Sequence, residues 1–219
     1  MSDEQKIQGM GPLKQPDSIK LPKLKFELPT FQPIFNFNKP VETPQETKKK
    51  SISQELHDSW TKVFPRLSQE FFDELTAMAE RINCNPEDLA AIMFKESRFD
   101  PAAKGAGVYG LIQMNATALK VAIAHANKNG HKLKNVTISE YHKMPREQQI
   151  KYSEAYIQFR IDEKKLTGKK LSGGQLWTLI KRPSNINNKK FINKLQRIID
   201  NTKNLPLKYE TPYSLKHSN

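Results

Sequence analysis

The chain has 219 residues, 37% apolar and 27% charged, enough for one domain of ordinary size plus a tail but not for a core along its whole length. A formal net charge of +13 favours polyanionic partners (nucleic acid, an anionic membrane surface or an anionic wall polymer) without choosing among them. Cys84 is the only cysteine, which excludes an intrachain disulfide.

The five histidines, His57, His125, His131, His142 and His217, show no metal-ligand spacing, so neither a metal site nor a cofactor is expected. The longest apolar run near the centre, Leu89 to Phe94, is far short of the ~20 residues of a membrane span. No basic start followed by an apolar stretch opens the chain, so no secretory signal is predicted. A substrate outside the cytoplasm would then be reached by a non-Sec route.

Residues 1–50 hold seven of the fourteen prolines, nine lysines and six acidic residues, and carry no helical periodicity. Proline fixes the backbone and removes donors, so this segment reads as an extended or disordered arm. Leu21, Leu24, Phe26, Leu28, Phe31, Ile34, Phe35 and Phe37 are interleaved with Pro22, Pro29 and Pro33. Two readings stay open: a disordered tail with adhesive side chains, or an arm laid as an extended strand on a partner protein. Lys48-Lys49-Lys50 marks its end.

From Ser51 the pattern turns helical. Ser53-Gln54-Glu55-Leu56 begins a short amphipathic helix with Leu56, Trp60 and Val63 on one face, ended by Pro65. Ser68 can cap a second helix with Phe71, Phe72, Leu75, Met78, Ala79 and Ile82 at core spacing. Asn85-Pro86-Glu87-Asp88 is a strong start for a third, running to about Arg98: a capping side chain, a proline at the first helical position, and two carboxylates at the positive end of the dipole.

On that third helix Leu89, Ile92, Met93 and Glu96 fall at i, i+3, i+4 and i+7, on one face. A carboxylate at the edge of an apolar stripe is partly desolvated, and desolvation favours its protonated form, as a general acid requires. Spacing alone leaves a second reading open, a surface glutamate paired with Lys95 or Arg98. Phe99-Asp100-Pro101 stops the helix, with Asp100 as a turn or cap residue.

Gly105, Gly107 and Gly110 predict a tight loop, and Gly110-Leu111-Ile112-Gln113 leads into a helical run through Val121 and Ala124. Residues 126–140 read as a polar loop with a short element. Pro145-Arg146-Glu147-Gln148 starts a long helix to about Lys165, with Ile150, Tyr152 or Ser153, Ile157 and Ile161 facing inward. A short apolar helix, Leu176 to Ile180, follows Ser172-Gly173-Gly174 and is broken by Arg182-Pro183-Ser184; a last one spans about 188–200. No alternating run predicts a sheet.

Glu96-Ser97-x-Phe99-x-Pro101, then a glycine loop, then Gly110-Leu111-Ile112-Gln113 resembles the soluble lytic transglycosylase family, related in fold to goose-type lysozymes. The later part departs from that pattern. Tyr152-Ser153-Glu154-Ala155-Tyr156 and the stretch from Gly174 through Trp177 to Pro183 look more like a branch found in phage virion and tail lysins. The resemblance implies a mainly α, lysozyme-like helical domain over 51–203, with the arm over 1–50 before it and an irregular tail over 204–219.

It also implies cleavage of the β-1,4 bond between N-acetylmuramic acid and N-acetylglucosamine in peptidoglycan. Glu96 stands at the family's catalytic glutamate. It would protonate the glycosidic oxygen and then act as base on the muramic-acid 6-hydroxyl or on water. Ser97 matches the serine that supports the glutamate or substrate, and Gln113 the glutamine lining the groove, where an amide can both donate to and accept from sugar groups. Tyr109 could stack on a sugar ring or simply pack; Tyr156 and Trp177 are groove-wall candidates, with core packing the other reading of Trp177. No second carboxylate partners Glu96, which fits the single-glutamate chemistry of the family.

Residues 164–203 contain eleven Lys or Arg and one acidic residue, Asp200. A solvated basic face is the default reading, and attraction to anionic wall polymers, or to nucleic acid packaged nearby, the functional one. No nucleic-acid motif accompanies it. The expected partners are therefore peptidoglycan and, through residues 1–50, other virion or assembly proteins. The competing expectation is a catalytically inactive structural protein of a larger assembly that uses the arm and the basic face.

Overall fold

Capping side chains set where most of the helices begin. In a computed structural model that describes residues 50–208, Ser51, Ser68, Asn85, Asn115, Thr137, Ser172 and Asn188 each accept a backbone N–H two or three residues on. The arm reading of residues 1–49 and the tail beyond 208 lie outside the described residues. The helices are α1 (Ile52–Trp60), α2 (Gln69–Arg81), α3 (Pro86–Ser97), α4 (Ala116–Lys128), α5 (Ile138–His142), α6 (Arg146–Glu163), α7 (Gly173–Lys181), α8 (Lys189–Lys203) and α9 (Leu205–Lys208), with a 3-10 turn at Pro183–Asn185. The protein is mainly α, and among the described residues there is no strand, only isolated bridges.

The boundaries hold close to expectation, with local differences. Helix α1 ends at Trp60, ahead of the expected stop at Pro65; α7 starts at Gly173 rather than Leu176; and α8 runs on to Lys203 rather than to about 200. Helix α1 starts from Ser51, two residues before the predicted Ser53. Helix α4 starts at Ala116 rather than running on from Gly110, because Gln113 sits at φ 52° and breaks the helical path before Asn115 caps it. The chain at 205–208, expected to be irregular, makes one further turn of helix.

Helix α3 is the centre. The one-face pattern understates its burial: Leu89, Ala90, Ala91, Ile92 and Met93 are all sealed from solvent, as in a helix packed on every side. It touches α2, α7 and α8. Its first turn is tied down through Asp88, whose carboxylate accepts from Gly173 N (3.0 Å) and pairs with Lys203 Nζ (2.6 Å). A Cβ on Gly173 would come within 2.8 Å of that carboxylate, so glycine there lets α7 start directly against α3.

The other end of α3 is turned by two consecutive left-handed residues, Arg98 (φ 54°) and Phe99 (φ 61°). Such backbone costs about 1 kcal/mol per non-glycine residue. Here the turn drives the Phe99 ring into an aromatic cluster, with ring centroids 5.0 Å from Trp60, 5.6 Å from Phe71 and 5.9 Å from Phe94. Burying a phenylalanine offsets that cost, at roughly 1.5–3 kcal/mol. This explains an aromatic three residues after Glu96: it fixes the direction in which the chain leaves the helix.

Helix α6 is the second axis, packing on α2, α4 and α7. Most of its residues from Gln149 to Ile157 are buried, including the polar Gln149 and Ser153.

Candidate functional site

The loop after α3 folds back as a small paired turn. Tyr109 exchanges backbone hydrogen bonds with Met114 (2.8 and 2.9 Å), and Gly110 N donates to Ala103 O (2.9 Å). Two polar side chains lock it. Ser97 Oγ lies within hydrogen-bond distance of both Met93 O (3.0 Å) and Leu111 O (3.1 Å), joining the end of α3 to the loop. Gln149, fully buried on α6, accepts from Leu111 N (3.1 Å) and donates to Pro101 O and Tyr141 O (both 2.9 Å). Gly110, at φ +75°, leaves room for it: a Cβ there would lie 2.4 Å from Gln149 Oε1.

This frame sets Glu96 at one end of a cleft of about 390 Å³, lined also by Gln113, Asn115, Tyr156, Arg160 and Lys181. Among the described residues, Glu96 is the only carboxylate that lines it. The Glu96 side chain is 8% exposed. Two neighbours from α7 converge on one oxygen, Oε1: the Trp177 indole N–H donates to it, and the Lys181 ammonium pairs with it at 3.1 Å. Trp177 and Lys181 are one helical turn apart, so they share a face, and the ammonium lies 5.3 Å from the indole centroid. Oε2 makes no hydrogen bond to another described residue.

Tyr156 and Arg160, also one turn apart, form the opposite wall. Arg160 Nε donates to the Tyr156 hydroxyl (3.0 Å), and its guanidinium is held by Glu163 (2.8 Å). Gln113 lines the cleft while its amide N–H donates to Gly110 O (3.0 Å). Asn115 uses its carbonyl oxygen to cap α4 through Ala118 N (2.8 Å). The amide chemistry at this wall is therefore fixed in orientation by the loop itself.

Of the residues singled out from sequence, Glu96, Gln113 and Tyr156 come together in the cleft. Ser97 is buried behind it and reaches only backbone carbonyls. Tyr109 faces His142 edge-on (5.1 Å) and Lys104 (5.8 Å), and is not among the cleft-lining residues. Trp177, 4% exposed, takes the core reading of its two: it is not among the cleft-lining residues, although its N–H meets Glu96. Asp100 closes a turn by accepting from Ala102 N (2.9 Å). Sequence reasoning missed Lys181, Arg160 and Gln149. The i, i+4 pairing of Trp177 with Lys181 was the available signal for the first.

A larger cavity, about 520 Å³, lies between α4 and the other face of α6. Its acids are already engaged, Glu154 with Arg81 (2.7 Å) and Asp162 with His125 (3.0 Å), and none of Glu96, Ser97, Tyr109, Gln113 and Tyr156 lines it. No cluster of three metal-binding side chains occurs among the described residues, and no helix there is long and apolar enough to cross a membrane. Within the basic stretch 164–203, Lys164, Lys181 and Lys203 are ion-paired.

No protein family, curated protein or solved structure matches this chain.

Proposed function

We propose that the chain is a peptidoglycan glycosidase, a lytic transglycosylase or muramidase with a lysozyme-like domain, in which Glu96 is the single catalytic acid. The observation that carries this reading is the placement of Glu96: among the described residues, the only carboxylate lining a cleft that it shares with Gln113 and Tyr156. Trp177 and Lys181 occupy Oε1, so Oε2 is the oxygen that would carry the proton to the glycosidic oxygen. As the bond to the leaving sugar breaks, the proton passes to that sugar's oxygen. The resulting carboxylate then removes a proton from the muramic-acid 6-hydroxyl, closing an anhydro ring, or from an attacking water. Enzymes of the common type flank the bond with two carboxylates. With one, the substrate's own acetamide is left to stabilise positive charge at the anomeric carbon. Gln113, and a Tyr156 held by Arg160, suit sugar hydroxyls and acetamides.

The proline-rich arm favours delivery as a virion component that opens the wall locally during genome entry. The competing reading, an inactive module of a larger assembly, draws support from Lys181, which pairs with Glu96 at 3.1 Å. A zymogram on purified cell wall separates the two. The glycosidase clears the wall and loses clearing with Glu96→Gln; an inactive module clears nothing.

A further inference from the structure

The cleft's charge is the reverse of what a lone acid needs. Glu96 is accompanied by two cations, Arg160 and Lys181. Arg160 is committed to its own helix, through Glu163 and the Tyr156 hydroxyl. Lys181 is different. It is the last residue of α7, its side chain is 44% exposed, and among the described residues its one ion pair is with Glu96. The position of α7 is rigid. Ser172 caps it, Gly174 N donates to Gln196 Oε1 (2.7 Å), and a Cβ on Gly174 would meet Ile192 O at 2.5 Å. The 3-10 turn beginning at Pro183 follows directly. A flexible ammonium on a fixed stem, lying along the Trp177 ring, can move from Glu96 toward the open cleft without disturbing the fold.

We propose that Lys181 is the cleft's receptor for a substrate carboxylate, which displaces the carboxylate of Glu96 from it. Resting on the glycosidase reading, this gives the substrate class as a glycan bearing a carboxylate close to the scissile bond. Such a strand takes Lys181 over, and the released Glu96 carboxylate takes up a proton from solvent before it acts as acid; an uncharged strand leaves the Lys181–Glu96 pair closed. The pair thus acts as a specificity device as well as a resting state. The carboxylate has two sources in wall glycan: the lactyl group of a peptide-free muramic acid, or an acidic residue of its peptide.

The test uses the full chain carrying Glu96→Gln, which binds without cleaving, and calorimetric titration with defined tetrasaccharides of alternating N-acetylglucosamine and N-acetylmuramic acid. One pair has free or methyl-esterified lactyl groups; a second pair bears peptides with free or amidated acids. One of the acidic forms is expected to bind about fivefold or more tightly than its neutral counterpart, the range of a half-exposed ion pair, and the pair that discriminates identifies the source. Adding Lys181→Met should bring that ratio to about one, Lys181→Arg should preserve it, and rising salt should erode it. Melting curves of each variant confirm the fold. Equal binding of acid and neutral forms, or discrimination that survives Lys181→Met, overturns the carboxylate proposal and leaves the glycosidase reading standing. If no glycan binds and the wild type releases nothing from cell wall, the glycosidase reading itself falls.

Discussion

Trp177 on α7 donates its indole N–H to the carboxylate of Glu96 on α3, a contact spanning 81 positions of sequence. With the Lys181 ammonium it occupies Oε1 of the carboxyl. Trp177→Phe keeps the ring and removes the donor. Glycosidase turnover should fall about tenfold or more, the worth of a hydrogen bond to a charged group, with little change in melting temperature. Trp177→Ala, by contrast, should destabilise the fold by about 3–5 kcal/mol because the ring is core. Parallel turnover and melting measurements separate the two effects.

Gln149 holds the loop after α3 to α6 through Leu111 N and Pro101 O, and ties in α5 through Tyr141 O. Gln149→Leu preserves bulk and strands those groups in the interior. Stability should drop by about 3 kcal/mol in urea unfolding, since each buried unsatisfied group costs about 1–3 kcal/mol. A loss below about 1 kcal/mol would mean that the loop finds other partners.

Two glycines of the loop offer a matched pair. Gly107 (φ +74°) has nothing within 4 Å of an added Cβ, whereas at Gly110 (φ +75°) the Cβ meets Gln149 and Tyr141 inside 3 Å. Gly107→Ala should cost only the backbone term, about 1 kcal/mol. Gly110→Ala should cost that plus overpacking, another 1–3 kcal/mol or so, and reduce activity as well. Equal losses at the two sites would refute the packing account.

Burial pushes the Cys84 thiol from 9.0 up to about 12, with the nearby Asp88 adding to the shift, and it raises the Tyr141 phenol too. Above pH 9 the unfolded chain releases the thiol proton while the folded chain keeps it. The folded state then binds more protons, so stability falls as pH rises from 9.0 toward about 12, by about 1.4 kcal/mol per pH unit for each such group. Cys84→Ala should flatten that decline in urea titrations between those limits. The same burial should keep Cys84 unmodified by thiol reagents at pH 8 until the chain unfolds.

Much of this was legible in the residues. Caps at Ser68, Asn85 and Ser172 announce their helices locally, and Glu96 shares a helical face with Leu89, Ile92 and Met93. What the sequence hides is tertiary pairing. Gln149 reads as a surface amide because nothing within its own helix calls for burial; only the returning loop does. Lys181 reads as one more solvated lysine in a basic stretch, and its distinction is a contact with a helix far away in sequence. For Tyr109 the sequence leaves sugar stacking and simple packing open, and the paired turn directs it to pack edge-on against His142. The resemblance to lytic transglycosylases identified Ser97 as a supporting residue without revealing that its hydroxyl reaches backbone carbonyls alone.

Mass analysis of the soluble fragments released from purified cell wall by wild-type protein and by Glu96→Gln tests the central claim most directly. A single-acid glycosidase is expected to release disaccharide-peptides ending in anhydro- or reducing muramic acid, and Glu96→Gln, folded as judged by its melting curve, to release at least ~100-fold less. Absence of fragments with both proteins, or equal release by both, would contradict it.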